Sequence, residues 1–146
     1  SSDLQLMLET VLALNALWFA LGFHLFTVRG RVFAKVIVAR EHRDAPVVDT
    51  LIMSGKFLGG FNLAFSVLNI LLLLNTGLFD KELQWAIILF ATAIAHGTQF
   101  AFNVPVAIQN RRGAGVWRVK GLMLFIFVID FALMTLNGVL AALYLL

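Results

Sequence analysis

The chain alternates between four long apolar stretches and short polar connections. The stretches cover about residues 4–27, 51–74, 85–107 and 120–145. A helix needs about 20 mostly apolar residues to cross a hydrocarbon layer roughly 30 Å thick. Each stretch is long enough to cross once, and none shows the two-residue alternation of a membrane β-strand. The pattern predicts an all-α integral membrane protein with a single membrane domain over residues 1–146. Its predicted fold is a four-transmembrane-helix antiparallel, up-down-up-down bundle.

Composition argues against a soluble protein. Hydrophobic residues make up 61% and charged residues 13% of the 146 residues, whereas a soluble domain carries about a quarter charged residues. A protein of this size has too little interior to bury so much apolar surface, so lipid is expected to cover it. No cysteine is present, which excludes disulfides, thiolate metal sites and a cysteine nucleophile.

The charges of the connections predict an orientation. Ten of the eleven Lys and Arg residues lie in or beside residues 28–50 and 108–119, and the exception is Lys81. Because Lys and Arg collect in cytoplasmic loops, these two loops are predicted to be cytoplasmic, with both termini outside, in the periplasm or a lumen. The basic charge is thereby assigned to topology, and no nucleic-acid partner is expected. The predicted contacts for anionic lipids or partner proteins are Arg29, Arg31, Lys35, Arg40, Arg43, Arg111 and Arg112.

Polar residues inside the apolar stretches fall at matching depths, counted from the predicted cytoplasmic helix ends. A polar group in lipid is costly and usually faces another helix or a cavity, so the layers predict a bundle with a polar seam and a lipid-facing exterior. One residue, Asn15, lies about 100° off the helical stripe formed by Glu9 and His24. We expect it to face a different neighbour or a second subunit. The layer near the bilayer middle comprises Asn15, Asn62, His96 and Asp130, and a second layer nearer the outside comprises Glu9, Asn69 and Asn137.

His96 and Asp130 are the candidates for chemistry, and we expect them to approach each other at the membrane centre with Asn62 and Asn15 around them. An isolated buried carboxylate is costly, and His96 is its only titratable partner at that depth. Such a pair can carry protons, bind a polar head group or perform acid–base work. The alternative is that these polar groups are interhelical packing, in which hydrogen bonds hold the helices together.

No metal site and no cofactor are predicted. The two histidines inside the stretches, His24 and His96, differ in depth by eight residues, about 12 Å along a helix. They therefore cannot share one metal ion. The intramembrane carboxylates, Glu9 and Asp130, are too few for a di-iron site.

The segment that leads into the second stretch contains Arg40, His42, Arg43, Asp44 and Pro46. Together with the four-helix layout, it resembles the membrane-associated eicosanoid and glutathione metabolism family, whose members are trimers of four-helix subunits with outer termini. The resemblance implies an enzyme acting on a lipid-like substrate. It is one of topology only, because the order and spacing of these residues differ from the family's. The arginine and tyrosine of the family's third helix have no counterpart here.

Three functions are compatible with these features, and whether the protein is an enzyme stays open. The first, which we favour, is a helical subunit or binding module of a homo-oligomer or a larger membrane assembly, with loops that meet partners or anionic lipids; it predicts a dry seam. The second is a small membrane-embedded enzyme using His96 and Asp130, which predicts a lateral opening from lipid to His96. The third is a proton-coupled carrier, which predicts a continuous polar path through the layers.

Overall fold

The computed structural model describes the whole chain, Ser1–Leu146, which is helical and contains no strand. Four helices, counting α1 together with the π-turn that follows it, are long and apolar enough to cross a membrane. Two shorter segments lie between the first two of them. In chain order the elements are α1 (Ser2–Phe23), a π-turn (His24–Val28), α2 (Gly30–Ile37), a 3₁₀ turn (Arg40–His42), α3 (Val47–Leu74), α4 (Glu82–Asn110) and α5 (Leu122–Leu143).

The helix boundaries follow local signals in the sequence. The Ser1 hydroxyl accepts a hydrogen bond from the Leu4 backbone N–H at 3.2 Å and so caps α1. Pro46 stands immediately before α3, where its missing N–H costs no helical hydrogen bond. Gly121, with φ of 59°, precedes α5, and this left-handed conformation favours glycine. The four long helices begin and end within four residues of the predicted bounds.

The bundle consists of two helix pairs, α1 with α3 and α4 with α5. The π-turn that extends α1 packs tightly against α3 at Gly59, where an added Cβ would collide with the Thr27 side chain and lie 3.3 Å from the Thr27 backbone nitrogen. The Ser66 hydroxyl donates to the Ala16 carbonyl across the same contact, at 2.8 Å. A small residue that permits close approach and an interhelical hydrogen bond are the two devices by which apolar helices associate in lipid.

Helix α3 extends past the end of α1, which changes the register expected from the sequence. The predicted cytoplasmic helix ends pair Thr27 with Leu51, whereas Thr27 lies against Gly59. This offset of eight residues corresponds to about 12 Å. The first turns of α3 are covered instead by α2, where Gly30 lies against the Ile52 side chain. The register decides which polar residues of α1 and α3 can meet.

An apolar core closes one end of the bundle. It forms where the first half of α1, the end of α3, the start of α4 and the end of α5 come together. Its members are fully or almost fully buried. They are Leu8, Val11, Leu12, Leu72, Trp85, Ala86, Leu89, Leu140, Ala141 and Tyr144.

Substitution of two adjacent glycines tests the close contact between α1 and α3. We expect Gly59→Leu to destabilise the protein by about 1–3 kcal/mol, because overpacking a tight contact forces side chains and backbone to shift. Gly60→Leu is the matched control, since a Cβ at Gly60 meets no atom within 4 Å. Denaturant unfolding in mixed micelles measures both. Equal stability of the two variants would contradict the helix pairing described here.

Candidate functional site

A cluster of buried amides lies next to the apolar core, with Asn15 at its centre. The Asn15 side chain is 0% exposed and contacts side chains from the other three long helices. Its Nδ2 donates to Oδ1 of Asn69 at 3.2 Å and to Oδ1 of Asn137 at 2.8 Å. Its Oδ1 accepts from Nδ2 of Asn137 at 2.8 Å and lies 3.0 Å from Nε2 of His96. The hydrogen-bonding capacity of this amide, two donors and two acceptors, is therefore filled within the chain.

Backbone carbonyls set the orientation of two amides in this cluster. Asn69 Nδ2 donates to the Phe65 carbonyl at 2.9 Å, and Asn137 Nδ2 donates to the Leu133 carbonyl at 2.8 Å. A carbonyl can only accept, so Asn69 turns its Oδ1 toward Asn15, while Asn137 presents both its Oδ1 and its Nδ2 to Asn15. The Asn15 NH₂ must then point to the Oδ1 of Asn69, and its own Oδ1 faces His96.

The same logic assigns the proton on the His96 ring. Because Asn15 Oδ1 can only accept, the Nε2 atom of His96, 3.0 Å away, is the N–H donor. The other ring nitrogen, Nδ1, lies 3.9 Å from Oδ1 of Asp130, which is too far for a direct hydrogen bond. The Phe19 ring stacks on the imidazole with a centroid distance of 4.7 Å and an interplanar angle of 17°, so the ring orientation is fixed from two sides.

Asp130 is held by a residue of α1. The indole Nε1–H of Trp18 donates to Oδ1 of Asp130 at 2.9 Å, and the Trp18 ring packs edge-on against Phe125. His96 and Asp130 are 1% and 3% exposed. A buried imidazole and a buried carboxyl group are thus placed side by side, one oriented through Asn15 and the other through Trp18.

A cavity of about 520 Å³ begins at His96 and Asp130 and extends away from the apolar core. Most of its 21 lining residues are hydrophobic, with contributions from all four long helices and from α2. Several lining residues are also exposed on the bundle surface, both hydrophobic ones such as Leu21, Phe61 and Phe125 and the polar residues His24, Arg29 and Gln99, so the cavity is partly open. The polar groups of the cavity lie in two places. His96 and Asp130 form its floor, and His24, Arg29 and Gln99 surround its far end.

The predicted polar layers are only partly brought together. His96 and Asp130 are neighbours and Asn15 contacts His96, but Asn62 bonds to the Leu58 carbonyl of its own helix and lines the cavity wall. Asn69 and Asn137, assigned from sequence to a second layer, lie in the cluster with Asn15. The third residue of that layer, Glu9, is separate from them and accepts from Gln5 at 2.8 Å.

The predicted basic contacts have different surroundings. Arg43 donates to the Val38 and Lys35 carbonyls at 3.1 and 2.9 Å, which satisfies the carbonyl end of α2. Arg29 lines the far end of the cavity. The remaining ones are exposed on the surface, namely Arg31, Lys35, Arg40, Arg111 and Arg112.

Trp18 and Phe19 are site residues that the sequence analysis missed. Neither residue belongs to the polar layers predicted from the sequence. A signal was available, since Trp18 lies one helical turn from Asn15 and its indole N–H needs an acceptor when it is buried. Trp117 also has an acceptor for its indole N–H, because its Nε1 donates to Asn103 Oδ1 at 2.9 Å.

Comparison with known proteins gave no match: no protein-family model, no curated protein and no solved structure is similar to this chain.

Removal of one amide tests the hydrogen-bond cluster. We expect Asn15→Ala to lower the free energy of unfolding by about 2 kcal/mol or more, because it leaves buried groups of Asn69, Asn137 and His96 unpaired. Asn62→Ala deletes the same atoms from a side chain bonded only within its own helix, and should change stability by less than about 0.5 kcal/mol. Unfolding in micelles measures the difference. A smaller effect at Asn15 than at Asn62 would show that the cluster does not hold the bundle together.

Proposed function

We propose that the protein is a polytopic membrane protein whose four long helices cross the bilayer alternately, with both termini outside. Two observations support this proposal. Many large apolar side chains on the outer faces of these helices are exposed, including Phe57, Phe61 and Phe102. Nine of the eleven Lys and Arg residues lie in α2 and its flanking segments or between α4 and α5, and Lys56 lies in the first half of α3. The positive-inside rule assigns this side to the cytoplasm.

Cysteine labelling tests this topology, since the natural chain has no cysteine. Asp80→Cys lies between α3 and α4, and Arg112→Cys lies between α4 and α5. An impermeant maleimide added to intact cells should react with the cysteine at position 80 and should reach position 112 only after permeabilisation. Labelling in the opposite pattern would invert the proposed orientation.

We further propose that the protein is a binding module for a lipid-like molecule, which enters the cavity between the two helix pairs. The cavity itself carries this proposal: it has the volume of a small-molecule site, mostly apolar walls and a few convergent polar groups. In a bilayer, the exposed wall residues Leu21, Phe61 and Phe125 would face lipid, so an apolar ligand can enter sideways.

The three functions predicted from the sequence are favoured to different degrees. The fully hydrogen-bonded Asn15 cluster supports a subunit or binding module, the function for which a dry seam is predicted. The exposed cavity-wall residues support a lateral entry to His96 and Asp130, and with it a second candidate, an enzyme using this pair on a lipid-like substrate. A carrier is disfavoured, because the apolar core lies beyond the amide cluster and interrupts a polar path. Association into an oligomer or with other membrane subunits stays a prediction. The hydrogen-bonding groups of Asn15 all have partners within the chain, so this residue gives the prediction no support.

A bulky residue in the cavity tests the binding proposal. Ala95 lines the cavity on α4, whereas Ala101 is exposed on the same helix and lies outside the cavity. We expect Ala95→Phe to reduce labelling of cavity residues by a photoreactive long-chain lipid analogue at least fivefold in nanodiscs, and Ala101→Phe to leave it unchanged. Peptide mapping by mass spectrometry measures the labelling. Equal labelling in both variants, or none in the natural protein, would refute ligand binding in the cavity.

A further inference from the structure

The cavity floor has hydrogen-bonding capacity that the protein does not use. His96 commits its Nε2–H to Asn15, and its Nδ1 has no hydrogen-bond partner in the chain. Asp130 receives one hydrogen bond, from Trp18 to Oδ1. Both residues line the cavity and are nearly fully buried. The floor therefore presents one imidazole nitrogen and one carboxyl group to whatever occupies the cavity.

The separation of these two groups selects a single bridging atom. Nδ1 of His96 and Oδ1 of Asp130 are 3.9 Å apart. One oxygen can lie within about 2.7–3.0 Å of both, which is the normal range of a hydrogen bond. A direct bond between the two side chains is excluded by the same distance.

Charge balance determines what kind of oxygen fits. A net charge buried in an apolar environment is costly, so the favoured states of the pair have no net charge. The pair is then either imidazolium with carboxylate or neutral imidazole with carboxylic acid. In both states one of the two groups donates and the other accepts. A ligand oxygen that bridges them must therefore both accept and donate, as a hydroxyl group does.

Other head groups satisfy the floor less well. An ether or ketone oxygen has no proton to donate and leaves the accepting group unpaired. A carboxylate or phosphate gives the buried floor a net negative charge in either state, which is costly. The only fixed cation among the cavity residues, Arg29, lies at the far end, about eleven residues from Trp18 or roughly 16 Å along a helix.

We propose that the cavity binds a long-chain or aromatic alcohol, with its hydroxyl group bridging His96 and Asp130 at the floor. The apolar part lies along the walls, to which Phe61, Phe65 and Phe125 contribute aromatic rings. This inference rests on the proposed binding function and adds the chemical class of the ligand to it.

Competition between matched probes tests the hydroxyl group. The protein in nanodiscs is labelled with a diazirine-bearing hexadecanol, and unlabelled hexadecanol, hexadecyl methyl ether and palmitate compete. We expect hexadecanol to compete about tenfold better than the ether. In Asp130→Leu this preference should fall to less than twofold. In Phe57→Leu, which changes an exposed side chain of α3 outside the cavity, it should persist. The comparison of alcohol with ether in the natural protein needs no variant to fold.

The other outcomes separate the two proposals. Equal competition by alcohol and ether, with labelling inside the cavity, would overturn the hydroxyl assignment and leave the binding function standing. Tightest competition by palmitate, lost in Arg29→Gln, would also overturn it and place an anionic head group at the far end. If none of the probes enters the cavity, the binding function fails, and the hydroxyl assignment fails with it.

Discussion

Buried polar groups must be hydrogen-bonded, and in this chain one asparagine meets that requirement for two other asparagines and a histidine at once. Asn15 joins α1 to Asn69 of α3, His96 of α4 and Asn137 of α5. In a low-dielectric interior each unpaired member would carry its full desolvation cost. The four helices can therefore satisfy these groups together in only a narrow range of rotations and offsets. The pairing of α1 with α3, the orientation of His96 and the position of the cavity floor all depend on that arrangement.

The polar cluster divides the bundle into a closed half and an open half. Along α1 the order is Leu8 and Leu12 in the core, Asn15 in the cluster, and Trp18 and Phe19 at the cavity. The other three long helices repeat this order of core, amide or imidazole, and cavity wall. Apolar packing closes one half without polar groups, whereas the other half leaves a cavity with His96 and Asp130 at its floor. A polar group at the end of an apolar cavity is the arrangement by which small-molecule sites orient their ligands.

Much of the helical arrangement could be predicted from the sequence, because length and hydrophobicity define candidate spans. The proximity of His96 and Asp130 could also be predicted, since the connection between α4 and α5 is short and fixes their register. The hydrogen-bond partners of Asn15 could not be predicted from the sequence. Counting residues from the predicted helix ends places Asn15 level with Asn62. In the structure α2 covers the first turns of α3, so the end of the first span, at Thr27, lies level with Gly59 instead. Asn69 thereby takes the place of Asn62. The role of Trp18 depends on rotation of α1 toward α5, which no sequence period encodes.

The central claim is that Asn15 fixes the His96 proton on Nε2 and leaves Nδ1 to face Asp130 at the cavity floor. The chain has three histidines, so replacing His24 and His42 with glutamine leaves His96 as the only source of an imidazole signal. Solid-state ¹⁵N NMR of ring-labelled histidine in lipid bilayers then reports the protonation of each nitrogen directly. The account predicts a proton bonded to Nε2 in both the neutral and the charged ring. A neutral ring with its proton on Nδ1 and a bare Nε2 would contradict it.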